Sequence, residues 1–292
     1  MRITDGMKYG SVLRNLTSLG ARHAKASQQA LTGNRIGAPS DDPSGAAELL
    51  RVHSSLSRAQ AQRDAIKNAR GDVELAEGVL SEVNTLFQRA HEIAMQGSNG
   101  NLSADNRAAL ATEVGDLKRH LVSLANTKGS RGFLFGGSQT DVAPFDANGT
   151  FSGNDLEHSI QLGNGSPTRV SVSGASAFTS AGGRDIFADL DALQAGLAAD
   201  DGSAVSATLG SIETSRQQVI REQTQAGLTI NRLDTSDASL DQLELSLSKR
   251  EQAVGAADPF EAYARMSSLA QALERAVTVS RQILDLGADQ RF

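Results

Sequence analysis

Two long runs of a seven-residue hydrophobic repeat limit what this chain can fold into more than any other feature. Val52, Ala59, Ile66, Val73, Leu80, Phe87 and Ala94 stand seven apart, and from Ile66 onward Ala69, Ala76, Val83 and Ala90 add a second column. Val205, Ile212, Val219, Ala226, Leu233, Leu240, Leu247 and Val254 repeat the pattern in the second half. A strict heptad of this length belongs to a helix packed lengthwise on a partner, because a straight helix drifts off the seam within a few turns. The first pattern meets no breaker between Pro43 and "QGSNGN" at 96–101. That is about 55 residues, or roughly 80 Å of helix. Gly71 and Gly78, also seven apart, suggest a close backbone approach, since each costs about 1 kcal/mol against Ala in a helix. In the second run the companion column is mixed: Leu209 and Ile230 are apolar, whereas Arg216, Gln223, Asp237 and Glu251 are not. One seam is continuously buried and its flank is half wet. Two such helices separated by an insertion pair most simply antiparallel, as the backbone of one rod.

Around these helices the punctuation is regular. In "GNRIGAPSDDPSGAAELL", residues 33–50, Pro43 disfavours a helical conformation at Asp42. Asp42 is therefore the expected N-cap and Pro43 the first helical residue, with Asp41 and Asp42 near the positive helix end. A metal or general-acid role for this acidic pair is the alternative. Gly33 can supply the left-handed C-cap of a preceding helix. "AADPFEA" repeats the device with Asp258 as N-cap, Pro259 first and Glu261 placed for a capping box. The helix after it carries Met266, Leu269, Leu273, Val277 and Leu284, and in the helix before Gly33 Leu13, Leu16, Leu19 and Ala24 begin a comparable stripe that runs to Leu31. A further helix runs from Ser103, its N-cap, to Asn126 with Leu110, Val114, Leu117, Leu121 and Leu124 on one stripe, and a short one spans 186–198.

Between 129 and 183 the composition turns to Gly, Ser, Asn and Thr, and five of the nine Phe fall here: Phe133, Phe135, Phe145, Phe151 and Phe178. "SIQL" and "RVSVS" read as strands, "DANGT" and "GNGSP" as turns. The spaced Phe favour a small folded insert over a disordered one. The fold class is thus mainly α with an inserted small β domain, built as an antiparallel heptad-helix rod from the two halves. The segments expected are 1–38, 39–128, 129–183, 184–256 and 257–292.

Chemistry is sparse. The net charge of −6 and the lack of a basic run argue against a nucleic-acid surface. Without cysteine there is no disulfide frame, thiol nucleophile or thiolate metal site. No 18-residue apolar run suggests a membrane span, and "MRITDGMKYGSVLRNL" is not expected to act as a cleavable secretory signal. His23, His53, His91, His120 and His158 form no metal-ligand spacing. "GFLFGG" at 132–137 lacks a phosphate-loop Lys and reads as a strand entering a turn. No catalytic, cofactor or metal residue is assigned, and the expectation is a protein that is not an enzyme.

Five stretches together resemble the bacterial flagellar axial proteins: "MRIT", "LTGNRIGAPSDDPSGAA" at 31–47, "GFLFGGSQTDVAPF" at 132–145, "AGLTINRL" at 226–233 and "DPFEAYARMSSLAQALE" at 258–274. "PSDDP" and "FLFGGSQT" are similar to the hook-associated group at the hook–filament junction rather than to filament flagellin, and "LDLGADQRF" at the end departs from the family. The resemblance implies that the paired terminal helices line an inner axial tube and polymerise, with Ile3, Leu13, Leu16, Leu19, Leu269, Leu273, Val277 and Leu284 at the assembly interface. It implies the hook-associated protein FlgK, flagellin, the filament cap and an export chaperone as partners. Self-association in a ring and type III export to the cell exterior follow in the same way. Short amphipathic helices whose partners lie in other subunits are marginal alone, so residues 1 to about 35 and 260–292 are expected to order on assembly. Filament flagellin and a cytoplasmic coiled-coil adaptor are the alternatives.

Overall fold

The computed structural model describes residues 5–162 and 167–289. Seven helices dominate: α1 Asp5–Thr32, α2 Pro43–Gly97, α3 Ala104–Ala125, α4 Gly174–Phe178, α5 Ile186–Ala198, α6 Gly202–Gly255 and α7 Pro259–Asp289. The strands are short: β1 Lys128–Gly129 pairs antiparallel with β2 Gly132–Phe133, and β3 Ser159–Gln161 with β4 Pro167–Arg169. The chain divides into two compact units, one of residues 60–242 and one of the residues up to 59 together with those from 243 on.

In the 60–242 unit the heptad columns form the core. Ile66, Val73, Leu80, Phe87 and Ala94 of α2 are buried, as are Val205, Ile212, Val219, Ala226, Leu233 and Leu240 of α6. The mixed companion column of α6 becomes a polar ladder. Arg63 Nε meets Asp237 at 2.9 Å and Arg70 Nε meets Asp234 at 2.9 Å. Gln223 Nε2 donates to Glu77 at 2.8 Å, and Arg216 Nη1 to Asn84 at 3.4 Å. The α2 partners 63, 70, 77 and 84 stand seven apart and rise as the α6 numbers fall, so the two helices run antiparallel. Gly71 and Gly78 do not mark a close approach: both are exposed, and a Cβ on either meets nothing within 4 Å. They fall off the two buried columns, on the outer face of α2.

α3 packs on α5. Ser103 caps α3 by accepting from Asn106 N–H, and Asp185 caps α5 by accepting from Phe187 and Ala188 N–H. The segment 129–183 holds together more by rings and side-chain bonds than by strands. Phe178 meets Phe135 edge-on at 5.0 Å and Phe145 at 5.5 Å, and Phe145 meets Phe151 at 5.1 Å and Phe187 at 5.3 Å. Of "RVSVS" only Arg169 is in a strand. Val170 N–H still donates to His158 O at 2.8 Å, Ser171 Oγ accepts from His158 N–H at 2.8 Å, and Val170 and Val172 are buried just past the end of β4. The "GNGSP" turn lies outside the described residues except for Pro167. Buried polar groups tie the segment to the long helices. Asp72 of α2 accepts from Ser130 N–H and Oγ, both at 2.8 Å, and Gln218 of α6 donates to the carbonyls of Ala177, Thr179 and Arg184.

In the other unit α1 packs against α7, and its buried apolar residues are Ala26, Val52, Ala59 and Ala262. The α6 column loosens here, Leu247 and Val254 being half-buried.

Candidate assembly surface and its hinge

The turn between α1 and α2 is built from polar contacts that the local sequence sets up. Gly33 takes φ +69°, the left-handed conformation that glycine adopts without strain, and its N–H closes α1 on Gln29 O at 2.9 Å. The chain then pairs with the turn between α6 and α7. Arg35 N–H donates to Gly255 O at 2.7 Å, and Ala257 N–H donates to Gly33 O at 2.8 Å, bracketing an Asn34–Ala256 bridge. Arg35 does more with its side chain. Its Nη2 donates to Val254 O at 2.8 Å, satisfying an end carbonyl of α6, and to Asp42 Oδ2 at 3.0 Å.

Asp42 is the N-cap of α2. Its Oδ1 accepts from Gly45 N–H at 2.9 Å and from Ser44 Oγ at 2.8 Å. Those bonds, with the Arg35 guanidinium, pull its carboxyl down to about 2. Asp41 plays a separate part. Its Oδ1 receives Lys25 Nζ of α1 at 2.5 Å, and its Oδ2 receives the N–H groups of Gly37 and Ala38, each at 3.1 Å. The lysine first, then the two amides, hold its pKa below the ordinary carboxylate range. Both carboxylates are spent on backbone and cations. Pro43 follows Asp42 as the first residue of α2 and Pro259 follows Asp258 as the first of α7. Asp258 Oδ1 accepts from Phe260 N–H at 2.8 Å and Glu261 N–H at 3.0 Å. The capping box is half made: the Glu261 carboxylate turns forward to Arg265 Nη2 at 3.0 Å instead of back to Asp258.

The same turn and the first half of α7 enclose a cleft of about 650 Å³, lined among others by Arg22, Lys25, Arg35, Asp41, Glu261 and Arg265. Nothing on these walls pairs a base with a nucleophile. The cleft carries charge, and the helices beside it carry shape.

Along the α1–α7 pair the apolar residues sort into two faces. Leu16, Leu19, Leu269 and Leu273 are half-buried, with Ala26 and Ala262 buried. Leu13 is 66% exposed and Val277 is also exposed. Leu13 stands one residue past Val12, which is half-buried in its place, so the inward stripe is set about one residue back from Leu13. Ala24 is exposed for the same reason. Ile3 and the Leu284 side chain lie outside the described residues. Leu31, the end of the α1 stripe, is 82% exposed; Phe260, at 88%, and Tyr263 complete an outward apolar set, and these two sequence periodicity alone did not single out. Arg35 was also not foreseen: its Val254 partner lies 219 residues away, and only its place between Gly33 and Asp42 hinted at a role.

Residues 3–140 match the bacterial flagellin N-terminal helical region. The chain is 37% identical over 186 residues to flagellar hook-associated protein 3 of Salmonella typhimurium, an alignment that covers 62% of this chain and 57% of that protein. The chain thus spans little more than half the length of this relative. Among solved structures, FlgL of Xanthomonas campestris superposes with a TM-score of 0.61 at 16% identity, covering 70% of this chain and 99% of that one. The flagellar junction protein FlgL of Legionella pneumophila superposes with a TM-score of 0.55 at 17% identity, covering 71% and 99%. At these identities the structures speak for the fold.

Proposed function

We propose that this chain, a relative of the flagellar hook-associated proteins that carries the flagellin N-terminal helical region, is a structural subunit of the bacterial flagellum at the junction between hook and filament. The observation that carries this reading is the outward apolar set on α1 and α7. A pair of helices that buries little more than alanines inward, while Leu13, Leu31, Phe260, Tyr263 and Val277 face solvent, is shaped to be covered by neighbours. In the assembly those residues, with Ile3 and Leu284, contact other subunits, and Leu16, Leu19, Leu269 and Leu273 hold the pair together. Ordering the ends on docking costs about 2–5 kcal/mol of the gross interaction energy, so a preformed end is needed as template and free subunits stay apart. The hinge at Gly33, Asp42, Pro43, Asp258 and Pro259, locked by Arg35, sets how α1 and α7 join the neighbouring ends of α2 and α6.

FlgK on the hook side, flagellin and the filament cap on the other, a ring of like subunits and an export chaperone are the partners this role requires. Export through the flagellar type III channel places the protein outside the cell. The test is expression in a flagellated cell whose own junction subunit has been deleted. Filaments attached to hooks support the assignment; bare hooks with the protein secreted into the medium would sink it. Flagellin is the second reading, because the match over 3–140 is to a flagellin region. Long filaments grown from the purified protein alone would favour it.

A further inference from the structure

The turn that joins α2 to α3 carries an Asn-Gly pair in an open setting. Asn99, Gly100 and Asn101 are exposed, and a Cβ on Gly100 meets nothing within 4 Å. Among the described residues the Gly100 N–H donates to no group of the chain. The groups around it are held. Asn99 Oδ1 accepts from Asn101 N–H at 3.1 Å. The main-chain carbonyl of Asn99 accepts from Leu102 N–H at 3.1 Å and from Arg107 Nη2 at 2.8 Å. Arg107 is buried, and its other nitrogens bond Gly97 O and the Asp200 carboxylate.

We propose that Asn99 is a self-modifying site, which cyclises with Gly100 to a succinimide and opens to isoaspartate under the direction of Arg107. In the first step the Gly100 nitrogen, giving its proton to solvent, forms a bond to Asn99 Cγ. The Cγ–Nδ2 bond breaks and the amide nitrogen leaves as ammonia with a proton from solvent. The Asn101 N–H faces the oxygen on which negative charge gathers, as backbone donors do in an oxyanion hole. In the second step water adds to the former main-chain carbonyl carbon of Asn99, and the bond from that carbon to the Gly100 nitrogen breaks. The chain now runs through Cγ, and the new carboxyl group releases its proton. Arg107 polarises the carbonyl that water attacks, and the carboxylate forms where the guanidinium already donates, a charge-assisted bond stronger than the neutral one it replaces. Opening on this side gives isoaspartate. The charge gained then competes with Asp200 for Arg107.

A second Asn-Gly pair serves as an internal control. Gly149 N–H is spent on Asp146 O at 3.0 Å, the residue sits at φ +89°, and the face a Cβ would occupy is filled by Phe187. Asn148 lacks a free nucleophile.

The test is incubation of the folded full-length chain in mildly alkaline buffer, followed by peptide mapping and enzymatic methylation of isoaspartate. Conversion at Asn99 should outrun that at Asn148 by at least about tenfold, a modest barrier difference, and Gly100→Ala should abolish the excess. Equal rates at the two sites, or an Asn99 that persists, overturns the proposal. The isoaspartate share at Asn99 should also be higher in the folded chain than in the same chain in denaturant. Equal shares would remove Arg107 from the mechanism.

Discussion

Within residues 60–242, Phe87, Phe135, Phe178, Leu80, Leu121, Leu190 and Ile212 are sealed from solvent, whereas the unit formed by the two chain ends buries Ala26, Val52, Ala59 and Ala262. Both are helical and both carry regular apolar patterns. The difference lies in where the pattern points. In the first unit each long seam finds a second element of the same chain, and large side chains fill the space between. In the second, α1 and α7 bury only Ala26 and Ala262 fully and leave Leu16, Leu19, Leu269 and Leu273 half-buried, while Leu13, Leu31, Phe260 and Tyr263 look outward. A helix can therefore be amphipathic and capped while the largest part of its apolar surface is left for partners outside the chain.

This contrast can be broken most directly at the aromatic cluster. Phe178→Ala removes a fully buried ring that touches Phe135 and Phe145, and denaturant unfolding should show a loss of about 3–5 kcal/mol. A loss near zero would mean that the 129–183 segment contributes nothing to the core. Asp189→Ala strands Ser215 and Arg184, which both donate to that buried carboxylate. The expected cost is about 1–3 kcal/mol, because Arg184 can turn to water.

At the hinge the effect is local and depends on pH. Asp42 has a native pKa of about 2 against an ordinary value of 3.8. Its contribution is complete above the ordinary value and is lost as pH falls through about 2, since the unfolded state binds the proton first. Hydrogen exchange at the Gly45 amide should accelerate over that window in the native chain. Asp42→Ala should make it fast at every pH, and an amide that stays protected in the variant would dismiss the cap. At the outward face the effect on the monomer is smallest. Phe260→Ser and Leu13→Ser should each stay within about 0.5 kcal/mol of the parent chain, yet both should stop filament attachment in the deletion strain. Normal attachment with both changes combined would move the assembly surface elsewhere.

Much of the fold could be read from the residues because heptads and caps are local. The α2 and α6 columns, Ser103 before α3 and the bounds of α5 needed no knowledge of what lies across the seam. The readings that failed depended on a partner. Gly71 and Gly78 looked like a close approach because the face they occupy was unknown. "RVSVS" alternates like a strand, but only Arg169 pairs in the ladder, with Ser159, and after a single Val170–His158 bond the chain turns away into α4. Glu261 stands where a capping box requires it, and Arg265 one turn on takes its carboxylate. The mixed column of Arg216, Gln223 and Asp237 is half-buried, as its polarity implied, but its pairing with Asn84, Glu77 and Arg63 on α2 could not be read from one helix.

By itself the sequence determined the six longer helical stretches, though not the short α4 inside the insert. It also determined where Pro43 and Pro259 restart the helices, and that the chain ends are amphipathic. Those properties follow from spacing and from backbone chemistry within a few residues. The tertiary structure alone decided which faces close on one another, that Arg35 joins the end of α6 to the cap of α2, and that Leu13 and Phe260 remain uncovered. Such facts rest on groups brought together across as many as 219 residues, and no local pattern carries them.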